Sequence, residues 1–119
     1  MQPAGWPADL PDPDDPEFTA RAVAWLLDIG PAPWRQQRVL REQPLVLAVR
    51  ARHDVDGRLQ GARAAYAAAR AELGDAVPPP VVEALLETLE ADGAWLLALQ
   101  REVGLVEEAL RGRRWRARL

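Results

Sequence analysis

Residues 45–73, LVLAVRARHDVDGRLQGARAAYAAARAEL, decide how this chain folds. Residues at alternating steps of three and four form an unbroken series, here called the first seam, and eight of its nine members are apolar: Leu45, Ala48, Arg52, Val55, Leu59, Ala62, Tyr66, Ala69 and Leu73. A second seam follows the stretch GDAVPPP, again with eight apolar members of nine: Val82, Leu85, Leu89, Asp92, Leu96, Leu99, Val103, Val106 and Leu110. This spacing predicts two long amphipathic α-helices.

The short connection between the seams determines how the two helices are arranged. A Gly/Pro-rich link of this length returns the chain on itself, so the spacing predicts an antiparallel helical hairpin. Counting away from the link sets these residues opposite one another: Leu73 and Val82, Leu59 and Leu96, Leu45 and Leu110, Ala62 and Gly93. The second helix is also apolar off its seam, so the hairpin alone does not bury all of its apolar surface.

The residues before the hairpin predict shorter elements. Residues 1–14 are rich in proline and aspartate, which favours an extended, irregular segment. Asp15 is a candidate N-cap for a helix that runs to Ile29, and Pro33 can open a short helix. Pro44 either starts the next helix or kinks a continuous one. The predicted fold is all-α: an antiparallel helical hairpin of two long helices with one or two shorter N-terminal helices packed on it, divided as segment 1–14, helical domain 15–110 and Arg-rich tail 111–119.

The composition excludes several kinds of chemistry. The chain has no cysteine, serine, asparagine or lysine, and all fifteen basic residues are arginine. Without Ser, Cys or Lys there is no serine or cysteine nucleophile, no Schiff base and no P-loop lysine. A single histidine does not supply a structural zinc site. We therefore expect no catalytic residue, no cofactor and no metal.

The arginines themselves are weak evidence for nucleic-acid binding. The skew toward Ala, Arg, Gly, Leu, Pro and Val is typical of a GC-rich coding sequence, and the formal net charge is −3. The N-terminus has neither a basic n-region nor an apolar h-region, and no apolar run approaches the roughly 20 residues that span a bilayer. These features predict a soluble, cytoplasmic protein.

Three polar residues in the seams and beside them are candidate sites. His53 lies off the first seam and has carboxylates nearby, but its position favours a solvated helix face over a metal or catalytic site. Arg52 and Asp92 each interrupt an apolar seam and are predicted to be buried polar residues. Arg52 could reach Glu102 or Glu107. We interpret both as residues that set the register of the hairpin, as a single polar seam residue does in coiled coils.

The C-terminal tail, RGRRWRARL (residues 111–119), combines five arginines with Trp115. Arginine and an aromatic ring together suit phosphate contact and base stacking. The same arginines could instead neutralise the acidic residues of segment 1–17, and we favour this second interpretation because the net charge is negative. Tryptophans 25 and 95 are predicted to be core. The candidate partner contacts are Trp6, Trp34, Arg111, Arg113, Arg114, Trp115 and Arg116.

Residues 17–116 resemble a family of short all-helical proteins typical of GC-rich actinobacteria, on the strength of the stretches QPLVLAVRARHDVDGRLQGARAAY and VVEALLETLEADGAWLLALQREVGLVEEALRGRRW. That family has no established activity, so the resemblance implies no functional residues. The sequence favours a non-catalytic protein–protein interaction module that forms a homodimer or binds another protein. The alternative is a small nucleic-acid-associated regulator that uses the Arg/Trp tail.

Overall fold

The computed structural model describes residues 2–113, which are helical apart from turns and connections and contain no strand. Four α-helices follow one another: α1 (Phe18–Ile29), α2 (Arg38–Glu42), α3 (Pro44–Leu73) and α4 (Pro79–Leu110). A 3-10 helix, Ala32–Gln36, precedes α2. The long helices α3 and α4 form the hairpin, so the predicted all-α helical hairpin with shorter N-terminal helices is confirmed. No helix within the described range is both long and apolar enough to cross a bilayer.

Pro44 starts a helix and does not kink one. The backbone N–H of Gln43 donates to Val39 O at 3.0 Å and closes α2, and Leu47 N–H donates to Gln43 O at 3.0 Å as the first turn of α3 forms. Proline suits the first position of a helix because the amide it lacks would have no partner inside the helix. At the other end of α3, Gly74 N–H donates to Arg70 O at 3.0 Å.

Contacts within the chain divide it into two compact units, and both long helices contribute to each. The first unit comprises Met1–Asp54 with Gln100–Leu119. Its buried apolar side chains come from every helix in it and include Leu10, Phe18, Ala22, Leu26, Leu27, Trp34, Leu40, Leu47, Ala48, Ala51, Val103, Val106 and Ala109.

The N-terminal segment of the first unit is turned and not extended. Trp6 N–H donates to Pro3 O, and Leu10 N–H donates to Pro7 O, each at 3.2 Å. Leu10 is buried as a result. The prediction of an extended segment was wrong because the segment closes successive turns. Gly5, the third residue of the first turn, has a φ of 82°, and Pro13 is the second residue of the turn that Asp15 N–H closes on Asp12 O at 2.9 Å.

The start of α1 also differs from the prediction. Asp15 Oδ1 accepts the N–H of Glu17 at 2.8 Å, and Asp15 O accepts the N–H of Phe18 at 3.0 Å. These bonds close a turn before the helix, so α1 begins at Phe18 with Glu17 at its N-cap position. Asp15 therefore caps the preceding turn and is not the N-cap that the sequence predicts.

The second unit, Val55–Leu99, contains the rest of α3 and α4 and the connection between them. Ala69, Val82 and Leu86 form a buried cluster, and Leu73, Val77 and Leu85 pack against it. Leu73 therefore packs against the cluster that contains Val82, which agrees with the predicted register. Leu86 lies off the second seam, whereas the other buried side chains of this unit outside the cluster belong to the seams: Val55, Leu59, Leu96 and Leu99.

Candidate protein-interaction surface

His53 lies on the exposed side of α3. Among residues 2–113, no group of three or more His, Cys, Asp or Glu side chains is placed to hold a metal ion. The exposed position agrees with the interpretation of His53 as part of a solvated helix face, and the surface that concerns function lies elsewhere.

Arg52 lies within the first unit and is tied to the second long helix. Its Nε donates to Glu107 Oε1 at 2.7 Å, and Arg111 Nε donates to Glu107 Oε2 at 3.2 Å. The Glu107 side chain is only 12% exposed. Burial raises the pKa of Glu107, but the hydrogen bonds and charges of the two arginines outweigh burial and leave the pKa lowered. The predicted reach of Arg52 to Glu107 is confirmed. However, Arg52 is half-buried, with a side-chain exposure of 37%.

Asp92 is exposed, so the prediction that it is a buried polar residue was wrong. It occupies a seam position on α4. The carboxylate remains hydrated, because burying it without a partner would cost more free energy than a contact in the seam would contribute.

Two of the tryptophans proposed as partner contacts help to hold the first unit together. Trp34 is buried, at 3% exposure, and the guanidinium of Arg50 lies 4.8 Å from the centre of its ring. Trp34 is therefore not available to a partner, and that prediction was wrong. Trp6 is half-buried: its Nε1 donates to Leu10 O at 3.3 Å and to Pro11 O at 3.2 Å, and its ring centre lies 5.6 Å from that of Phe18.

The described part of the C-terminal tail is engaged with α4. Arg111 bonds to Glu107 as given above, and Arg113 Nη1 lies 3.7 Å from Glu108 Oε1. These glutamates belong to the last turns of α4, whereas the sequence predicted acidic partners in residues 1–17. The remaining predicted tail contacts, Arg114, Trp115 and Arg116, lie outside the described residues.

The second unit carries two exposed aromatic side chains of the hairpin. Trp95, predicted to be core, is 59% exposed, and Tyr66, on the first seam, is 42% exposed. The core prediction for Trp95 was wrong because its apolar neighbours in sequence, Leu96 and Leu99, occupy the seam while Trp95 lies outside it. Exposed aromatic side chains of this size are typical of binding surfaces.

Tyr66 borders a shallow cleft between α3 and α4, here called the hairpin cleft. The cleft has a volume of about 270 Å³ and is lined by Ala62, Arg63, Tyr66, Leu89, Glu90 and Gly93. Its lining is mainly apolar, with one cationic and one anionic side chain. The small residues Ala62 and Gly93 create the space, since a Cβ added at Gly93 would meet no atom within 4 Å.

The charged residues beside the cleft follow a regular pattern that sequence analysis missed. Arg63 and Arg70 lie seven residues apart on α3, and Glu83 and Glu90 lie seven apart on α4. Arg70 Nη2 donates to Glu83 Oε1 at 3.1 Å, which places the two charged edges on the same side of the hairpin. The heptad spacing of these charges next to the seams was the signal that could have identified this face.

No protein-family model, curated protein or solved structure matches the chain.

Proposed function

We propose that this chain is a non-catalytic, cytoplasmic helical-hairpin module that binds protein through the second unit. The observation that carries the proposal is the hairpin cleft, an apolar hollow of about 270 Å³ bordered by the exposed ring of Tyr66. A cleft that combines apolar lining with a few polar groups at its edge is typical of an interaction surface.

The architecture of the second unit supports the same proposal. Two helices bury only the side chains along their common seam, and Val55–Leu99 contains no third helix. Tyr66 belongs to the seam by spacing but remains 42% exposed beside the cleft. A partner that covers this face would bury the exposed part of the ring, which contributes part of the roughly 1.5–3 kcal/mol that complete burial of a large apolar side chain provides.

The nucleic-acid alternative receives less support from the described residues. Arg111 and Arg113, the arginines of the tail within the described range, already face Glu107 and Glu108 on α4. A phosphate would have to displace these carboxylates. We therefore treat nucleic-acid binding as an outcome to be tested and not as a second proposal.

Site-specific photo-crosslinking in cells of the source organism tests the function. A benzophenone amino acid at position 66 should form a discrete covalent adduct with protein, whereas the same group at position 57, which is exposed on α3 with no atom near its Cβ, should not. Mass spectrometry of the adduct identifies the partner, and nuclease treatment before illumination should leave its yield unchanged. Equal labelling from both positions, or an adduct that nuclease removes, would contradict the proposal.

A further inference from the structure

The hairpin cleft is large enough to receive an aromatic side chain. A cavity of about 150 Å³ in a protein interior holds a benzene molecule, and the cleft has a volume of about 270 Å³. Its floor contains Gly93, which has no atom within 4 Å of the place where a Cβ would lie. The chain itself does not fill this space.

The two charges at the cleft have opposite signs and come from opposite helices. Arg63 belongs to α3 and Glu90 to α4, and both line the cleft. Neither forms an ion pair or side-chain hydrogen bond with another residue of the described range, whereas the next pair along, Arg70 and Glu83, does. A uniformly acidic or basic partner would satisfy one of the two charges and repel the other. A surface that carries both signs in the same arrangement would satisfy both.

We propose that the occupant of the hairpin cleft is the same cleft of a second copy of this chain, in an isologous dimer. This inference rests on the proposed function and specifies its partner. With a two-fold axis parallel to the helices, α3 of each copy lies against α4 of the other, and the four helical segments form a bundle whose neighbouring members run antiparallel.

The register of the hairpin brings the free charges together in this arrangement. Leu73 packs against the cluster that contains Val82, and counting from that pair along both arms puts Arg63 level with Asp92. Glu90 lies two residues, or about 3 Å, from that level along the helix. Across the axis, Arg63 of each copy therefore lies within reach of Glu90 of the other, so the Arg63–Glu90 pair forms twice in the dimer.

The same symmetry places an aromatic ring over the cleft. Long side chains of a helix lean toward its N-terminus, so the ring of Tyr66 covers the turn that contains Ala62 and Arg63. That turn is level with residues 90–93 of α4. Across the axis, each Tyr66 ring therefore lies over Gly93 of the other copy, where the open space is.

Light scattering of the full chain tests the proposal, with a pair of charge reversals. The wild type should give twice the monomer mass of 13.2 kDa at micromolar concentration. Arg63→Glu and Glu90→Arg should each raise the dimer dissociation constant by at least about tenfold, because each homodimer then brings like charges together. An equimolar mixture of the two variants should restore the dimer, because both contacts then have opposite signs. Native mass spectrometry distinguishes this mixed dimer from either homodimer.

A matched pair of glycine variants tests the cleft itself. Gly93→Leu and Gly57→Leu each replace an interior helical glycine that has no atom within 4 Å of its added Cβ. At a protein concentration where the wild type is monomeric, both should raise the unfolding temperature. At higher concentration only Gly93→Leu should abolish the dimer, since its side chain occupies the cleft. This pair separates loss of association from loss of folding.

The inference would be overturned if the wild type remained monomeric up to about 100 μM, which is well above the micromolar range of ordinary specific association. It would also be overturned if the mixture of charge variants stayed monomeric, or if Gly93→Leu formed a dimer as tight as that of the wild type. If the chain is monomeric and the crosslink at position 66 captures one different protein, the second-copy inference fails and the proposed function stands. If neither association nor a crosslink is found, both fail.

Discussion

The contact between Gly30 and Trp34 makes a sharp prediction about stability. Gly30 follows α1, and its N–H donates to Leu26 O at 3.1 Å. Its backbone is extended, with φ −78° and ψ 171°, which alanine adopts without strain. A Cβ at this position would lie 2.1 Å from Cε3 of Trp34, whose ring is 3% exposed. Gly30→Ala therefore forces a buried ring to shift, which costs about 1–3 kcal/mol.

Gly57→Ala is the matched control for this substitution. It adds the same methyl group inside α3, where no atom lies within 4 Å. Replacing an interior helical glycine by alanine stabilises the helix by about 1 kcal/mol. At about 4 °C per kcal/mol for a chain of this size, circular dichroism at 222 nm should show Gly30→Ala melting roughly 4–12 °C lower and Gly57→Ala roughly 4 °C higher.

The sign of each shift checks a different part of the argument. A Gly30→Ala variant that melts at or above the wild-type temperature would show that Trp34 does not pack against Gly30. A lower melting temperature for Gly57→Ala would show that its position in α3 is covered. Both variants should be compared at equal protein concentration, because association raises the apparent melting temperature.

Four further variants, one of them a control, test the packing and the carboxylates. Glu107→Gln should destabilise the fold by about 1–2 kcal/mol at pH 7 in urea unfolding, because it loses charged hydrogen bonds. Folding lowers the pKa of Glu107, so the wild type holds this advantage above the unfolded pKa near 4.3 and loses it as the pH falls through the lower folded pKa. An unchanged difference in stability at pH 2 would contradict the reasoning. The pKa shift of Glu102 has the opposite sign, because burial and then the charge of Asp9 raise its pKa. Glu102→Gln should therefore stabilise the fold at pH 7, and this gain should vanish in acid. Thermal unfolding of both proteins at pH 7 and pH 3 measures the difference. Leu86→Ala, in a buried position, should cost about 2–5 kcal/mol, whereas Val81→Ala, at 50% exposure, should lie within about 0.5 kcal/mol of the wild type.

The seams predicted the long helices closely because their pattern reports burial directly. The predicted segments 45–73 and 82–110 correspond to α3, Pro44–Leu73, and α4, Pro79–Leu110. The first turn of α4 was missed because its prolines were assigned to the connection, although proline is well tolerated in the first turn of a helix. The Arg52–Glu107 contact could be named in advance because the register set the two residues on facing arms.

The tryptophans show where local sequence loses its predictive value. Trp34 has proline and arginine as neighbours in sequence, which suggested a surface residue, yet it is buried beneath Arg50. Trp95 has leucines as neighbours and is largely exposed. In both cases the partner that covers or fails to cover the ring is distant in sequence, so composition around the residue does not determine its burial.

Charges beside the seams carry information about partners that the seams do not. A seam specifies that two helices pack and in which register, and the pattern is the same whether the hairpin acts alone or in a pair. The basic residues of this face, Arg63 and Arg70, belong to α3, and the acidic residues, Glu83 and Glu90, belong to α4. Within the chain Arg70 pairs with Glu83, and such an exposed ion pair contributes only about 0–1 kcal/mol. Arg63 and Glu90 flank a cleft whose floor is Gly93. For a lone hairpin this glycine is a cost of about 1 kcal/mol relative to alanine, with no neighbouring atom that requires it. Against a second copy the same position provides the space that an aromatic ring needs, which is why we infer association from the charges and the cleft together and not from either feature alone.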